Sequence, residues 1–253
     1  MKNLRELVIT TCFKSREGHI PSALSILDIL WVLYNKVAKN FPDNPVNPDR
    51  DIIIVSKGHA SLGLYAILSD RGFFPVELLS EFGKYNSILG GHPDCNKVPG
   101  VEASTGSLGH GLPIAVGFAL GYKIKKTDNR VFAIIGDGES NEGSIWEAIL
   151  LAAHHKLDNL CCIVDNNHST DRALPMGDMV KKFESFGWDA VAIDGHNHNE
   201  ILNALLKRTS GKPLAVIANT IKGYGCKIIE NDPAWHHKIP SDAEYEILIN
   251  NLY

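Results

Sequence analysis

Five short apolar runs rich in Ile and Val recur along the chain: Asp51 to Ser56 (DIIIVS), Val131 to Gly136 (VFAIIG), Leu160 to Asp165 (LCCIVD), Ala190 to Asp194 (AVAID) and Leu214 to Asn219 (LAVIAN). Unbroken runs of this kind, without polar alternation, belong to parallel strands covered on both faces. The segments between them carry helical spacing and predict helices over Ser25 to Ala38, Leu62 to Asp70, Leu112 to Lys125, Glu142 to His155 and His198 to Arg208. Strand and helix alternate, so the expected fold class is α/β, a parallel sheet covered by helices on both faces. Ser25 and Asp28 have the spacing of a capping box at the start of the first predicted helix. No repeat or low-complexity linker divides the chain, and residues 1–253 are expected to form one domain.

Two irregular stretches interrupt this alternation. Asn40 to Asp49, NFPDNPVNPD, carries three prolines and reads as an extended loop into the first strand. Leu89 to Gly111 is longer than most loops of a compact domain, and loops of that length commonly build sites.

A candidate site lies where the second and third strands end. Asp137 follows the first of these and Asn166-Asn167 the second, with one helix between them. A right-handed crossover would bring both ends to one edge of the sheet, the edge at which open α/β sheets collect ligands. One carboxylate, one amide oxygen and a backbone carbonyl just beyond Asn167 would form an oxygen half-shell suited to Mg²⁺, which draws further ligands from phosphates. Gly136 and Gly138 allow a diphosphate to approach the backbone, and the helix beginning near Asn141 offers free N–H groups to the same anion. Taken singly, GDG is also a common tight turn and NN a common exit from a strand.

Composition narrows the classes. With 25 basic and 29 acidic residues, a net charge of -4 and no long basic run, nucleic acid is a poor partner. The N-terminus has charges scattered among its apolar residues, unlike a signal peptide, and no uninterrupted stretch of about 18 apolar residues occurs. A cytoplasmic protein that makes no membrane contact is expected. Five cysteines without a CxxC pair suit reduced thiols, with Cys161 and Cys162 packed inside a strand.

The order strand, GDG, helix, strand, DNN resembles the thiamine diphosphate motif. SREGHIPSALS at Ser15 to Ser25, SKGHASLGLY at Ser56 to Tyr65, GGHP and STGSLGHG within Gly90 to Gly111, and NTIKGYG with WHHKIP in Asn219 to Pro240 resemble transketolase in particular. The resemblance covers nearly the whole chain. It implies a thiamine diphosphate-binding fold of the diphosphate type and transfer of a two-carbon ketol unit from a ketose to an aldose. Transketolases are more than twice this long, so the chain is expected to be the N-terminal subunit of a split enzyme. A separate C-terminal subunit would carry the pyrimidine-binding and last domains, in an α2β2 assembly. The isolated chain is then expected to be inactive.

Residue by residue, the resemblance implies that Asp137, Asn167 and the backbone carbonyl of Ser169 hold Mg²⁺, and that Gly138, His59 and His236 contact the diphosphate. Gly106 and Leu108 would lie along the cofactor's middle and aminopyrimidine. Glu142 would link two cofactor sites across a dimer, with Glu147 in the same acidic network. His19, His59, His92 and His236 would bind sugar oxygens and relay protons, work suited to imidazole. Position 236 is matched in preference to 237 because it follows Trp235. His110 is expected only to support its loop, while His154, His155, His168, His196 and His198 are assigned surface or capping roles. Pro21 and Ser22 depart from the glycine-rich family pattern, which bears on the substrate rather than the cofactor. The alternatives are the alpha subunit of a thiamine-dependent 2-oxoacid dehydrogenase, a fragment of a deoxyxylulose-phosphate synthase, or a non-catalytic scaffold subunit. A dinucleotide-binding oxidoreductase is disfavoured because no G-x-G-x-x-G follows an early strand.

Overall fold

A computed structural model describes residues 1–253. All five predicted strands form: β1 (Ile52–Val55), β2 (Val131–Gly136), β3 (Leu160–Asn166), β4 (Asp189–Asp194) and β5 (Leu214–Asn219). They make one parallel sheet in the order β1-β2-β3-β5-β4. The helices are α1 (Lys2–Ser15), α2 (Ile20–Val32), α3 (Ser61–Asp70), α4 (Gly111–Lys125), α5 (Gly143–His154), α6 (Met179–Ser185), α7 (His198–Leu206) and α8 (Asp242–Asn250).

Side chains alternate across the sheet, so each strand feeds two cores. Ile53, Phe132, Ile134, Cys161 and Val216 pack with α1, α2, α3 and α7 on one side. Ile54, Ala133, Ile135, Cys162 and Ile217 pack with α4, α5 and α6 on the other. The neighbouring thiols Cys161 and Cys162 therefore point to opposite faces, where burial pushes the first up to about 12 and the second well above its ordinary value.

α2 is apolar on nearly all sides and is buried along almost its whole length. With the π-helical turn Leu33–Val37 that follows, it spans 18 residues of mean hydropathy 1.3, long and apolar enough to cross a membrane; 78% of that span is buried within the fold. The helix starts at Ile20, five residues before the expected boundary, because Pro21 fits the first turn, where its missing N–H costs nothing. This overturns the capping box expected at Ser25 and Asp28, since both lie inside the helix. Ser25 instead donates to Ser22 O and Asp165, while Asp28 accepts from Arg5. A capping box does form at α8, between Ser241 and Glu244.

The register pairs Gly136 with Asp165, so β2 and β3 end level and Asp137 and Asn167 emerge at one edge. Phe132 has no exposed surface on the interior strand β2, and Phe132→Ala should cost about 3–5 kcal/mol. Ser241→Ala should cost about 1 kcal/mol through loss of the cap. Urea unfolding checks both, and equal losses would contradict a core that includes Phe132.

Candidate active site

The loops after β1, β2, β3 and β5 and the turn into α2 contribute to one cleft of about 360 Å³, lined by His19, His59, His92, Gly106, Leu108, Asp137, Gly138, Asn167, Ser169 and His236. An adjoining hollow of about 700 Å³ shares Gly138, Asn167, Ser169 and His236 with it. Ten of the eleven residues assigned cofactor, metal or catalytic roles from sequence thus meet in one place. Glu142 is the exception. It stands, exposed, at the N-cap position of α5 at the back of the Gly109 turn, without a side-chain capping bond, and Glu147 is exposed further along the same helix.

The cleft floor is set by close backbone approach. A Cβ on Gly58 would stand 2.7 Å from the Thr105 carbonyl, so glycine lets the SKGH turn nest against the loop carrying Gly106 and Leu108. His59 rides on that turn and His19 sits at the N-cap of α2. The ring centroids lie 5.2 Å apart for His19 and His59, 5.3 Å for His19 and His236, and 6.0 Å for His59 and His236. His237 stands 4.4 Å from His19 but does not line the cleft. His110 bonds the Leu108 carbonyl at 2.9 Å, the loop-supporting role expected of it.

Asp137 is 2% exposed. Its Oδ1 accepts from the Gly138 N–H at 2.7 Å and from the Ser169 hydroxyl at 3.3 Å, whereas its buried Oδ2 has no partner. Burial, with nearby Asp165 adding to it, pushes the carboxyl up. An unpartnered carboxylate oxygen in a polar cleft is the condition a cation relieves. Asn167 donates through Nδ2 to Asp165 at 2.9 Å, which leaves Oδ1 to accept from the Ser169 N–H at 3.1 Å on the cleft side. These all-oxygen donors fit a magnesium ion rather than a softer metal.

Sequence reasoning assigned no place in the site to four charged residues, and it noted Ser22 only as a departure from the family pattern. Lys57, 2% exposed, pairs with the fully buried Asp165. Glu139 accepts from the Ser56 hydroxyl and from the N–H groups of Gly109 at 2.9 Å and Gly136 at 3.1 Å, fastening three site loops together. Lys222 reaches the cleft from the loop after β5, and Ser22 lines it with a buried hydroxyl that has no partner. Four of the five lie within or beside the motif stretches SKGH, GDGE, TIKGYG and HIPS, and Asp165 opens DNN, but a motif match singles out only the positions it aligns.

Two of the histidines assigned surface or capping roles bond a buried carboxylate, and one of them, His196, departs from the expectation because its side chain is itself buried. His196 is 6% exposed and bonds Asp28 at 3.1 Å, and His198 bonds the same carboxylate at 2.9 Å. Asp28 requires donors on that side, and they come from the turn into α7 and from its first residue.

Burial, reinforced by His237, His236, His92 and Lys222, lowers His19 to about 4; burial and Lys57 lower His59 to about 2. His236 is lowered by burial and Lys222, and Lys222 by burial and Lys57. At neutral pH the rings of His19, His59 and His236 are uncharged, with one nitrogen free to accept a proton and the other able to donate one.

Residues 1–246 match the family described as "Transketolase, thiamine diphosphate binding domain". A subunit of the apulose-4-phosphate transketolase of Actinobacillus succinogenes is 41% identical over 98% of this chain and 92% of the relative. A 6-deoxy-6-sulfo-D-fructose transketolase subunit from Clostridium sp. is 39% identical over 98% and 93%. The crystal structure of transketolase from Campylobacter jejuni superposes with a TM-score of 0.89 at 32% identity, covering 98% of this chain but 41% of that one.

Because folding lowers the pKa of His19 and His59, their contribution to stability is present above about 6.5 and is lost as pH falls toward the folded values. The urea midpoint should therefore drop between about pH 7 and pH 5, with a shallower drop in His59→Asn. A profile unchanged by that substitution would refute the assignment.

Proposed function

The chain belongs to the transketolase family through its thiamine diphosphate-binding domain, and from that premise we propose that it is the N-terminal subunit of a split transketolase, transferring a two-carbon ketol unit from a ketose to an aldose. The observation that carries this reading is the unpartnered Oδ2 of Asp137 beside Asn167, at the edge where four imidazoles converge. A scaffold that had lost its chemistry would have no reason to keep a buried carboxylate unsatisfied.

Asp137, Asn167 Oδ1 and the backbone carbonyl of Ser169 would hold Mg²⁺. The Gly138 backbone, His59, His236 and Lys222 would hold the diphosphate, with Gly106 and Leu108 along the rest of the cofactor. Lys57 is committed to Asp165 and adds positive potential from beneath. Bound thiamine diphosphate supplies the nucleophilic carbon and the electron sink for carbon–carbon cleavage. The chain's own residues orient and move protons. A ring nitrogen of His19, His59, His92 or His236 accepts the proton of a sugar hydroxyl as the donor is cleaved and returns one as the acceptor is added. Burial in the cleft keeps His19, His59 and His236 in the form that can accept.

The remaining half of the site would come from a C-terminal subunit carrying the pyrimidine-binding domain, in an α2β2 assembly in the cytoplasm. Two facts support a missing partner. The chain spans about two fifths of the Campylobacter jejuni enzyme but nine tenths of the Actinobacillus succinogenes subunit. Ile114 on α4 and Leu150 and Leu151 on α5 are exposed on neighbouring helices, apolar surface that suits an interface. Glu142, at the start of the same α5, would then reach a neighbouring copy rather than its own cleft.

Calorimetric titration of thiamine diphosphate with Mg²⁺, in the presence of the C-terminal subunit, should give binding that Asp137→Asn abolishes. The same substitution should raise the melting temperature of the metal-free chain, because it removes a buried charge without a partner. Cofactor binding that survives Asp137→Asn would sink the metal assignment. Ketol transfer should require both subunits, and turnover by the purified chain alone would overturn the split-site reading.

A further inference from the structure

We propose that His196, which lies outside the cleft, is a positioning residue that clamps the loop carrying Lys222; the inference rests on the reading of that cleft as a diphosphate site. The loop leaves β5 at Asn219 and enters the apolar core first at Cys226, so the course of Thr220 to Gly223 depends on what their backbone groups bond. Thr220 donates its N–H to Asn166 O at 3.2 Å, Gly223 donates to Pro21 O at 3.1 Å, and Lys222 O accepts from the Asn231 N–H at 2.8 Å. The Ile221 N–H alone among these goes to a side chain, His196 Nε2, at 2.9 Å.

That bond fixes the tautomer. Nε2 accepts, so Nδ1 carries the proton and donates it to Asp28 at 3.1 Å. Asp28 is itself held by Arg5 at 2.9 Å and by His198 at 2.9 Å, both anchored on helices. The ring is pinned from a second direction by Tyr224, stacked at a centroid distance of 3.5 Å, and Arg5 donates to the Tyr224 carbonyl at 3.3 Å. Two helices, α1 and α2, are thereby tied through Asp28 and one imidazole to the Thr220–Ile221 peptide, one residue before Lys222. A lysine with four rotatable bonds can meet a diphosphate at low entropic cost only if its backbone is fixed.

The test separates the bonds from the packing. In the chain assembled with its C-terminal subunit, His196→Phe keeps a ring on Tyr224 and removes both hydrogen bonds, whereas His196→Gln can supply one donor and one acceptor from a single amide. His196→Phe should speed amide hydrogen exchange at Ile221 to Gly223 and weaken Mg²⁺-dependent thiamine diphosphate binding, each by about tenfold, the scale of one lost buried hydrogen bond. His196→Gln should recover most of both. Tyr224→Leu, which leaves the bonds in place, should keep exchange at Ile221 within about threefold of the parent, and this comparison stands even if the phenylalanine variant does not fold. Unchanged exchange and affinity in His196→Phe would overturn the clamp. So would a glutamine variant as loose as the phenylalanine one, or a Tyr224→Leu variant that loosens Ile221 to the same degree. Failure of the unaltered complex to bind thiamine diphosphate would strike the reading of the cleft itself, and the exchange rates would still decide whether His196 holds the loop.

Discussion

The carboxyl edge of the sheet is organised around one buried charge. Asp165, at the end of the central strand β3, has no exposed surface. An unpaired carboxylate at that depth would cost several kcal/mol. Four donors answer it, each from a different segment: Lys57 after β1, Ser25 at 2.7 Å from α2, Thr220 after β5, and Asn167 at 2.9 Å from its own strand's exit. Burial alone would push this carboxyl up, but Lys57 and the hydroxyl donors outweigh it and hold it below the usual carboxylate range. The segments meet at one point because the charge cannot be left without them. The same contact orients Asn167, whose amide must turn its nitrogen toward Asp165 and therefore its oxygen toward the cleft.

Three buried carboxylates stand at this edge, and they are treated differently. Asp165 has a lysine and three neutral donors. Glu139 has no cation against it but receives two backbone N–H groups and a hydroxyl. Asp137 alone keeps a buried oxygen free. A fold selected only for stability would have satisfied or replaced it, since removing a buried unpartnered charge is commonly neutral or stabilising. Its retention beside an amide oxygen, at the wall of a polar cleft, is the chemical signature of a cation site. The two satisfied carboxylates hold the loops in place around the third.

The sheet is legible in the sequence because its strands are buried on both faces and so stand out as short Ile- and Val-rich runs; β5 occupies the segment expected of it, Leu214 to Asn219, without a shift. Helices between strands are equally readable. Those at the ends of the chain and before β4 are not. The spacing of Leu4, Val8 and Cys12 that forms α1 is present but shares its segment with charges. The box from Ser241 to Glu244 that opens α8 has the same spacing as the pair Ser25 and Asp28, where no box forms. The failure at Asp28 is instructive. Its spacing from Ser25 satisfies a local rule, but a buried arginine and two histidines from distant segments claim the carboxylate, and local pattern has no access to them. Lys57, Glu139, Asp165 and His196 are hidden for the same reason, since their importance lies in partners on other loops. The residues of the cleft are legible only through motif resemblance, which fixes identity and order but says nothing of what holds each one.

The electrostatics of the cleft connect these layers. Burial and mutual crowding keep His19, His59 and His236 uncharged, while the positive charges of Lys57 and Lys222 are matched within the chain by Asp165 and Asp137. A divalent cation drawn to Asp137 tips this balance to a positive excess, so it would be held weakly unless an anion arrives with it. A diphosphate supplies that charge, and the cation in turn screens the diphosphate from Asp137. Metal and cofactor should therefore bind as one unit, each making the other's site favourable, and the imidazoles around them are left free to exchange protons with a substrate.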